Sequence, residues 1–457
     1  MSATVSVSIR EELAGLVGDA SVSERSVDLD CYTVDEVIPS LVVTPATTGE
    51  CSAVLELACQ RDWVVVPAGG SSHQGIGNIA ERADIVLAAS RMGTILHYDA
   101  GDLTIGVEAG VKLVDLKRTL AAHDQFLPIH PLSHEQTVGS LLATALQGPM
   151  QHWAAVRDFC IGISFVTGDG KQAKAGGRVV KNVAGYDLMK LLIGSYGSLG
   201  VITSANFRVY PRPKQTRTYV MRFESSAEAL AMRDRIVRSP LAPLCLEIAS
   251  PRALEYLNPG AIARRDPDHY SPGSPIKPET HWQIALQAGG SDAVLARYAR
   301  ELGSSVAQTL DDEAESTLWE RFAGFGDRVL ARYRNSMLLQ VATAVSDTAA
   351  TIAAIESAAL ENNLLPAFVG RVGSAVLSVA MVPLSVDPPS AMQYASAASS
   401  LRGALPAGSS AVVLRCPTEA KRHFDVWGTP SSDLACTRAV KRAMDPKNVL
   451  SRGRFIV

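Results

Sequence analysis

Seven cysteines are scattered through the 457 residues, and no two of them form a CxxC pair. That spacing excludes a zinc knuckle and gives no ligand set for an iron–sulfur cluster within this chain alone. There is no GxSxG, no HExxH and no Cys/His dyad, so hydrolytic chemistry has no support. Walker A and GxGxxG are both missing, which disfavours ATP and a Rossmann-bound nicotinamide. No apolar run reaches the length of a membrane span. The opening MSATVSVSIREELAGL lacks the basic start and apolar core of a secretory signal. Charged residues are only 19% of the chain against 47% apolar, which predicts a large buried core and not a disordered chain. A formal net charge of −3 gives no electrostatic reason to expect nucleic acid as a partner. Reduced thiols in a cytoplasmic protein is the simplest reading of the cysteines.

What the chain does have is glycine in three organised places. From Gly176 to Thr203 it reads GGRVVKNVAGYDLMKLLIGSYGSLGVIT, with glycines at 194, 197 and 200 ahead of a β-prone run. Glycine permits positive φ and close approach of backbone to another molecule, so this segment is either a tight helix-to-strand turn or a loop lying flat against a ligand. A second glycine loop, Pro67 to Asn78, lies at the end of LVVTPATTGECSAVLELACQRDWVVVPAGG, residues 41–70, and just beyond it. Strand, helix, strand and glycine loop make an α/β unit, with Thr47 or Thr48 capping the helix and Val54, Leu57 and Ala58 on its apolar face. Successive amides of small residues after such a strand can form an anion nest, although such a loop is also an ordinary turn. The third place is FLPIHPLSHEQTVGSLLATALQG, where Thr137, Gly139 and Ser140 precede an Ala-rich helix whose first amides could face phosphate.

These segments resemble one family. KN-x-x-GYDL followed by GS-x-G-x-LG-[VI]-[IL]-T is similar to the signature of FAD-linked oxidases with a vanillyl-alcohol-oxidase (PCMH) type flavin domain. Among them it is most like the FAD-binding subunits of bacterial glycolate oxidases, which share the GSYGSLGV form with Tyr196. The Pro67–Asn78 loop resembles the family's PRGGGT-x-x-G-x-GN pyrophosphate loop, with Ala68 in place of Arg and Ser71 in place of Gly. Relatives with covalent flavin carry His near the Ser71 position, so the resemblance implies non-covalent FAD, and His73 is read as a loop residue. In the third segment Ser140 replaces a glycine and Thr144 an asparagine of the family pattern. AAVRDFCIGISFVTGDG resembles the family's VRD strand, with a hairpin turn at Gly168–Gly170. The end, AMDPKNVLSRGRFIV, resembles FDPKGILNPGRF.

The resemblance therefore implies an α+β fold with a two-part PCMH-type FAD-binding domain and a ferredoxin-like α/β cap. The expected parts are an N-terminal segment at 1–32, the flavin domain at 33–215, the cap at 216–430 and a C-terminal return at 431–457. YPRPKQTR reads as the linker, and three β-α-β units after it predict an antiparallel sheet covered by helices. A Pro-rich insertion, NPGAIARRDPDHYSPGSPIKPETH, reads as a surface loop. The implied FAD-binding residues are Pro67, Gly69, Gly70, Ser71, Ser72, Gly75, Pro131, Thr137, Gly139, Ser140, Gly148, Gly194, Gly200, Val201 and Ile202.

The chemistry is less complete. Active 2-hydroxy-acid dehydrogenases of this superfamily carry H-x-GDGN-x-H late in the cap, for a metal and a catalytic His. The corresponding stretch, Phe368 to Leu377, is FVGRVGSAVL and holds no imidazole or carboxylate. His281 and His423 lie in the cap without metal-ligand neighbours, so no metal site is expected. Arg321 and Arg334 approximate cap arginines that hold substrate carboxylates in relatives, a role suited to a guanidinium. An arginine beside Glu320 is equally suited to a surface ion pair. The implied function is an FAD-dependent oxidoreductase subunit that oxidises glycolate to glyoxylate. It would depend on a paralogous flavin subunit and an iron–sulfur subunit, through which any membrane association would come. The alternatives are a non-catalytic assembly or electron-relay subunit, or another PCMH-type flavin oxidoreductase.

Overall fold

The computed structural model describes residues 8–178, 187–258, 279–385, 388–428 and 433–456. Most of KNVAGYDL and most of the Pro-rich insertion lie outside them. The fold is mixed α+β, built from two sheets and a two-stranded ribbon in the first half of the chain and one large sheet in the second.

The first sheet has Ile85–Ala88 between Leu41–Val43 and Val65–Ala68, parallel to both. The helix Thr48–Arg61 makes the crossover. Thr47 caps it by accepting from the Glu50 amide at 3.1 Å, and Asp62 ends it in the left-handed region. Its buried side is Cys51, Val54, Leu55 and Ala58. The second sheet is antiparallel and five-stranded, with Val201–Arg208 at its centre, between Thr104–Glu108 and Cys160–Val166. The glycine segment thus feeds the middle strand of this sheet, which anchors one wall of the site to a core that includes Ile105, Val107, Ile163 and Phe207. The hairpin expected at Gly168–Gly170 joins Cys160–Val166 to Gln172–Gly176.

The third sheet is eight-stranded, and every pairing in it is antiparallel. Side chains alternate across a strand, and both faces here are covered. Leu246 and Ile248 join one core with the helices Ser226–Val237, Asp292–Leu302, Thr348–Leu360 and Ala391–Ala404. Cys245 and Ala249 join another with Pro251–Leu257, Asp312–Ala323 and Phe325–Arg332. This second face looks toward the flavin half: Met150 packs on it, and the His130 ring stacks on Trp319 at 6.1 Å. The segment read as a linker is partly strand, since Tyr210–Pro211 pairs with Gln125–Phe126.

After the helix Leu434–Met444 the chain returns to the first sheet. The Val65 amide donates to Val449 O and the Ser451 amide to Val65 O, both at 2.9 Å. Lys441 secures the return from inside, its Nζ donating to Asp445 at 2.6 Å, Ser198 O at 2.8 Å and Leu450 O at 3.0 Å.

Candidate active site

The loop after Val65–Ala68 is held from behind. A Cβ on Gly69 would lie 2.3 Å from Thr137 Oγ1, and one on Gly70 would lie 2.0 Å from the Glu135 carbonyl oxygen. Only glycine allows that closeness between the two loops. The loop carbonyls are taken by cations from the far end of the chain. Arg415 donates to Ser72 O, Arg454 to Gln74 O and to Ile76 O at 2.7 Å, and Lys421 to Gly75 O at 2.8 Å and Gly77 O at 3.0 Å. Among the described residues, the amides of Gly69, Gly70, Ser71, Ser72 and His73 have no protein acceptor. These residues line a cleft of about 880 Å³. Ser71 has φ +59°, the left-handed conformation that the family's glycine adopts without strain. A run of free N–H groups turned by a left-handed residue is an anion nest.

The other walls come from the segments around Thr137–Ser140 and Tyr196–Ile202. Thr137, Gly139 and Ser140 line the cleft, but the amides after Thr137 are committed. Val138 N donates to Val111 O at 2.9 Å, Gly139 N to Ala109 O at 2.8 Å, and Ser140 N to Thr137 Oγ1 at 3.3 Å. This segment therefore offers shape and hydroxyls, and the free donors belong to the Pro67–Asn78 loop. Gly200, Val201 and Ile202 complete the wall. Tyr196, at φ +53°, packs edge-on to Trp427 at 4.6 Å and stacks on Phe455 at 5.7 Å.

Four expected positions lie elsewhere. Gly75 contributes its carbonyl to Lys421, and Gly194 donates its amide to Leu142 O at 2.9 Å, each away from the cleft lining. Pro131 lines neither this cleft nor the one beside it, and Gly148 lines the second. Gly148 and Gly194 are glycines for their backbone, with φ +78° and +85°.

Ser72, His73 and Ile76 line both clefts, so the two adjoin there. His73 Nδ1 is 2.8 Å from Ser72 Oγ and 3.2 Å from Ser140 Oγ. Burial, with Arg415 nearby, lowers its pKa to about 4 and keeps the ring neutral. The second cleft, about 920 Å³ and open to solvent, lies between the flavin half and the inner face of the large sheet. Leu132, Leu146, Phe322, Phe325 and Val369 give it apolar walls. Its charged groups are Glu247, Arg371, Asp327 and Arg415. Glu247 is 3% exposed, and burial, opposed by Arg371, raises its pKa to about 8. Burial also raises Asp327, with Arg415 opposing. Arg371 donates to Gly148 O at 3.3 Å, while its Nε and Nη2 are buried with no partner among the described residues.

The arginines expected from the resemblance are not brought here. Arg321 lines a third cleft and donates to Leu257 O at 3.2 Å. Arg334 is exposed in the turn before Met337–Ala342 and lines none of the three clefts. His281 lines the third cleft, with Nδ1 3.2 Å from Glu279. The residues missed by sequence reasoning are Glu247, Arg371 and Arg415. The available signal for Glu247 was a carboxylate in the apolar run LCLEIA. Arg371 lies inside the very stretch singled out for lacking histidine.

Known proteins fit this geometry. The FAD binding domain family matches residues 39–176, and the family of FAD linked oxidases, C-terminal domain, matches 212–401. The chain belongs to the FAD-linked oxidases. Glycolate oxidase subunit GlcE of Escherichia coli is 44% identical over 123 residues, covering 26% of this chain and 35% of that protein. A D-lactate dehydrogenase of Archaeoglobus fulgidus is 31% identical over 236 residues, covering 50% of this chain and 53% of the relative. The chain thus spans about half the length, or less, of these curated relatives. The crystal structure of p-cresol methylhydroxylase with substrate bound superposes with a TM-score of 0.72 at 16% identity, covering 97% of this chain and 95% of that one. That likeness establishes the PCMH-type fold.

FAD is the cofactor of these FAD-linked oxidases, and the first cleft fits it: five unpartnered amides suit a pyrophosphate, and the cleft adjoins the second one, which holds buried Arg371. Among the described residues no helix is long and apolar enough to cross a membrane.

Proposed function

We propose that this FAD-linked oxidase acts on the CH–OH of a 2-hydroxy acid, with oxidation of glycolate to glyoxylate as the specific reaction. One observation carries the reading. The amide nest opens, past Ser72 and His73, onto a cleft in which Arg371 is buried with two unpaired N–H-bearing nitrogens. A buried guanidinium without a counter-ion is costly, and a carboxylate matches its fork. Gly69 to His73 would hold the FAD phosphates, the walls from Thr137 to Ser140 and Gly200 to Ile202 would enclose the rest, and attachment is non-covalent. Bound flavin supplies a two-electron acceptor. The chain's own residues orient the acid, exclude water with the apolar walls and handle the hydroxyl proton.

The likeness to a glycolate oxidase subunit supports a multi-subunit complex. In this proposal a second flavin subunit and an iron–sulfur subunit that carries electrons away complete it. Anaerobic addition of glycolate or D-lactate to the FAD-loaded chain, alone and with such subunits, tests the reading. Loss of the yellow flavin absorbance is expected; flavin unmoved by either acid in every combination would overturn it. A second reading, an electron-relay or assembly subunit, is favoured by the absence of imidazole and carboxylate from 368–377. It predicts that flavin is reduced only when a paralogous subunit supplies the electrons.

A further inference from the structure

Glu247 and Arg371 are direct partners across neighbouring antiparallel strands, Cys245–Ala249 and Leu364–Arg371. Residues opposite one another in a sheet share a face, so both side chains emerge on the side that looks toward the flavin half. Both line the second cleft, and both are almost fully buried, at 3% and 7% exposure. Neither satisfies the other. Among the described residues Glu247 Oε1 has no hydrogen-bond partner, Arg371 Nε and Nη2 have none, and no ion pair within 4.0 Å joins the two residues. Unmet groups of opposite kind, side by side in an apolar cleft, are expected where a ligand completes them.

Resting on the 2-hydroxy-acid reading above, we infer that Glu247 is the acid–base residue of this cleft and that Arg371 anchors the substrate carboxylate. This supplies within the chain the base that 368–377 lacks, from a strand more than a hundred residues earlier. The step balances. The substrate O–H bond breaks and its proton goes to the Glu247 carboxylate. The C–H bond breaks and its hydrogen leaves with the electron pair as hydride to the flavin. A C=O bond forms, so the acid becomes a 2-oxo acid while the flavin is reduced by two electrons. Glu247 then returns its proton to water.

The charged surroundings set the direction of the pH dependence. Arg371 faces Glu247 from the adjacent strand, and Cys245 lies two residues away on the same face. Across the cleft stand Asp327 from the helix Phe325–Arg332, Arg415 from Ser410–Arg415, and neutral His73 from the glycine loop. With its pKa raised to about 8, Glu247 is mostly protonated at neutral pH, leaving Arg371 free to hold an anion. Ionisation above that value produces the base and also repels a bound carboxylate. A base tuned toward working pH is the arrangement general-base catalysis favours.

The test uses the full FAD-loaded chain and oxamate, an inert carboxylate probe, with calorimetry across pH. Wild-type affinity should weaken about tenfold for each pH unit above the Glu247 value, with proton uptake on binding. Glu247→Gln should bind oxamate with no such pH dependence, while slowing anaerobic flavin bleaching by glycolate or D-lactate roughly 100-fold or more. Arg371→Lys should weaken oxamate at every pH. Because the wild-type pH profile is itself a prediction, poor folding of a variant leaves the inference exposed. A flat wild-type profile, or one that persists in Glu247→Gln, would overturn it, as would unchanged bleaching by that variant. If wild type neither binds oxamate nor bleaches with either acid, the 2-hydroxy-acid reading falls and takes this assignment with it. If wild type does both and the variants match it, only this assignment falls.

Discussion

Lys421 Nζ lies 2.8 Å from the carbonyl oxygen of Gly75, 346 residues earlier, and 2.7 Å from the carboxylate of Asp35. Both side chains are buried, at 1% and 8% exposure. Burial lowers the Lys421 pKa and Asp35 counteracts it. Removing one member of a buried pair leaves the other uncompensated, which costs about 3–5 kcal/mol. Lys421→Met should therefore lower the melting temperature and weaken FAD binding, and adding Asp35→Asn should restore part of the stability. Thermal melts with flavin-fluorescence titration read both effects. Wild-type values in the single variant would remove the clamp from the account.

The glycines divide by cause, and substitution separates them. Gly70→Val should abolish FAD binding, because its Cβ would meet the Glu135 carbonyl at 2.0 Å. Gly194→Ala meets only the Ala145 Cβ at 4.0 Å but must adopt φ +85°. It should cost about 1 kcal/mol while keeping full flavin. Flavin content after gel filtration distinguishes the two; equal retention would mean that the Pro67–Asn78 loop does not hold the cofactor.

Heat or acid precipitation of the purified holoprotein should leave yellow, fluorescent FAD in the supernatant. The side chain at the family's linking position is the Ser71 hydroxyl, which forms no stable bond to flavin. Flavin remaining with the pellet through denaturant washes would contradict non-covalent binding.

Stability should fall with rising pH because of Glu247. Its folded pKa, about 8, lies above the usual glutamate value, so the folded state holds a proton that the unfolded state releases. The contribution is full below the unfolded value near 4.5 and is lost as pH rises through about 8. Glu247→Gln cannot ionise, so it should melt above wild type at about pH 9, by an amount equivalent to a few kcal/mol. A wild-type melting curve that does not fall over this range would contradict a buried, raised carboxyl.

Fold and cofactor were readable in the sequence because they depend on local chemistry. Thr47 caps the crossover helix as expected, the Gly168–Gly170 hairpin forms, and most of the glycine-loop residues meet in one cleft. The amides after Thr137 do not face the cleft as expected, because their acceptors, Val111 O and Ala109 O, lie on another segment that no local pattern reveals. The substrate side was harder. Glu247 and Arg371 are 124 residues apart and meet only through strand register, which no local motif encodes. Arg321 resembled an anchor by position, but the helix Asp312–Ala323 turns it toward Leu257.

The clamps on the phosphate loop also impose an order of events during synthesis. Residues 69–77 leave the ribosome hundreds of residues before Arg415, Lys421 and Arg454, which fix their carbonyls. Domains that fold as they emerge do so from the N-terminal side. The first half can thus collapse around its own sheets while its nest stays unset. Flavin capture is then expected only once residue 454 is made, so a chain stalled in the cap should carry no flavin.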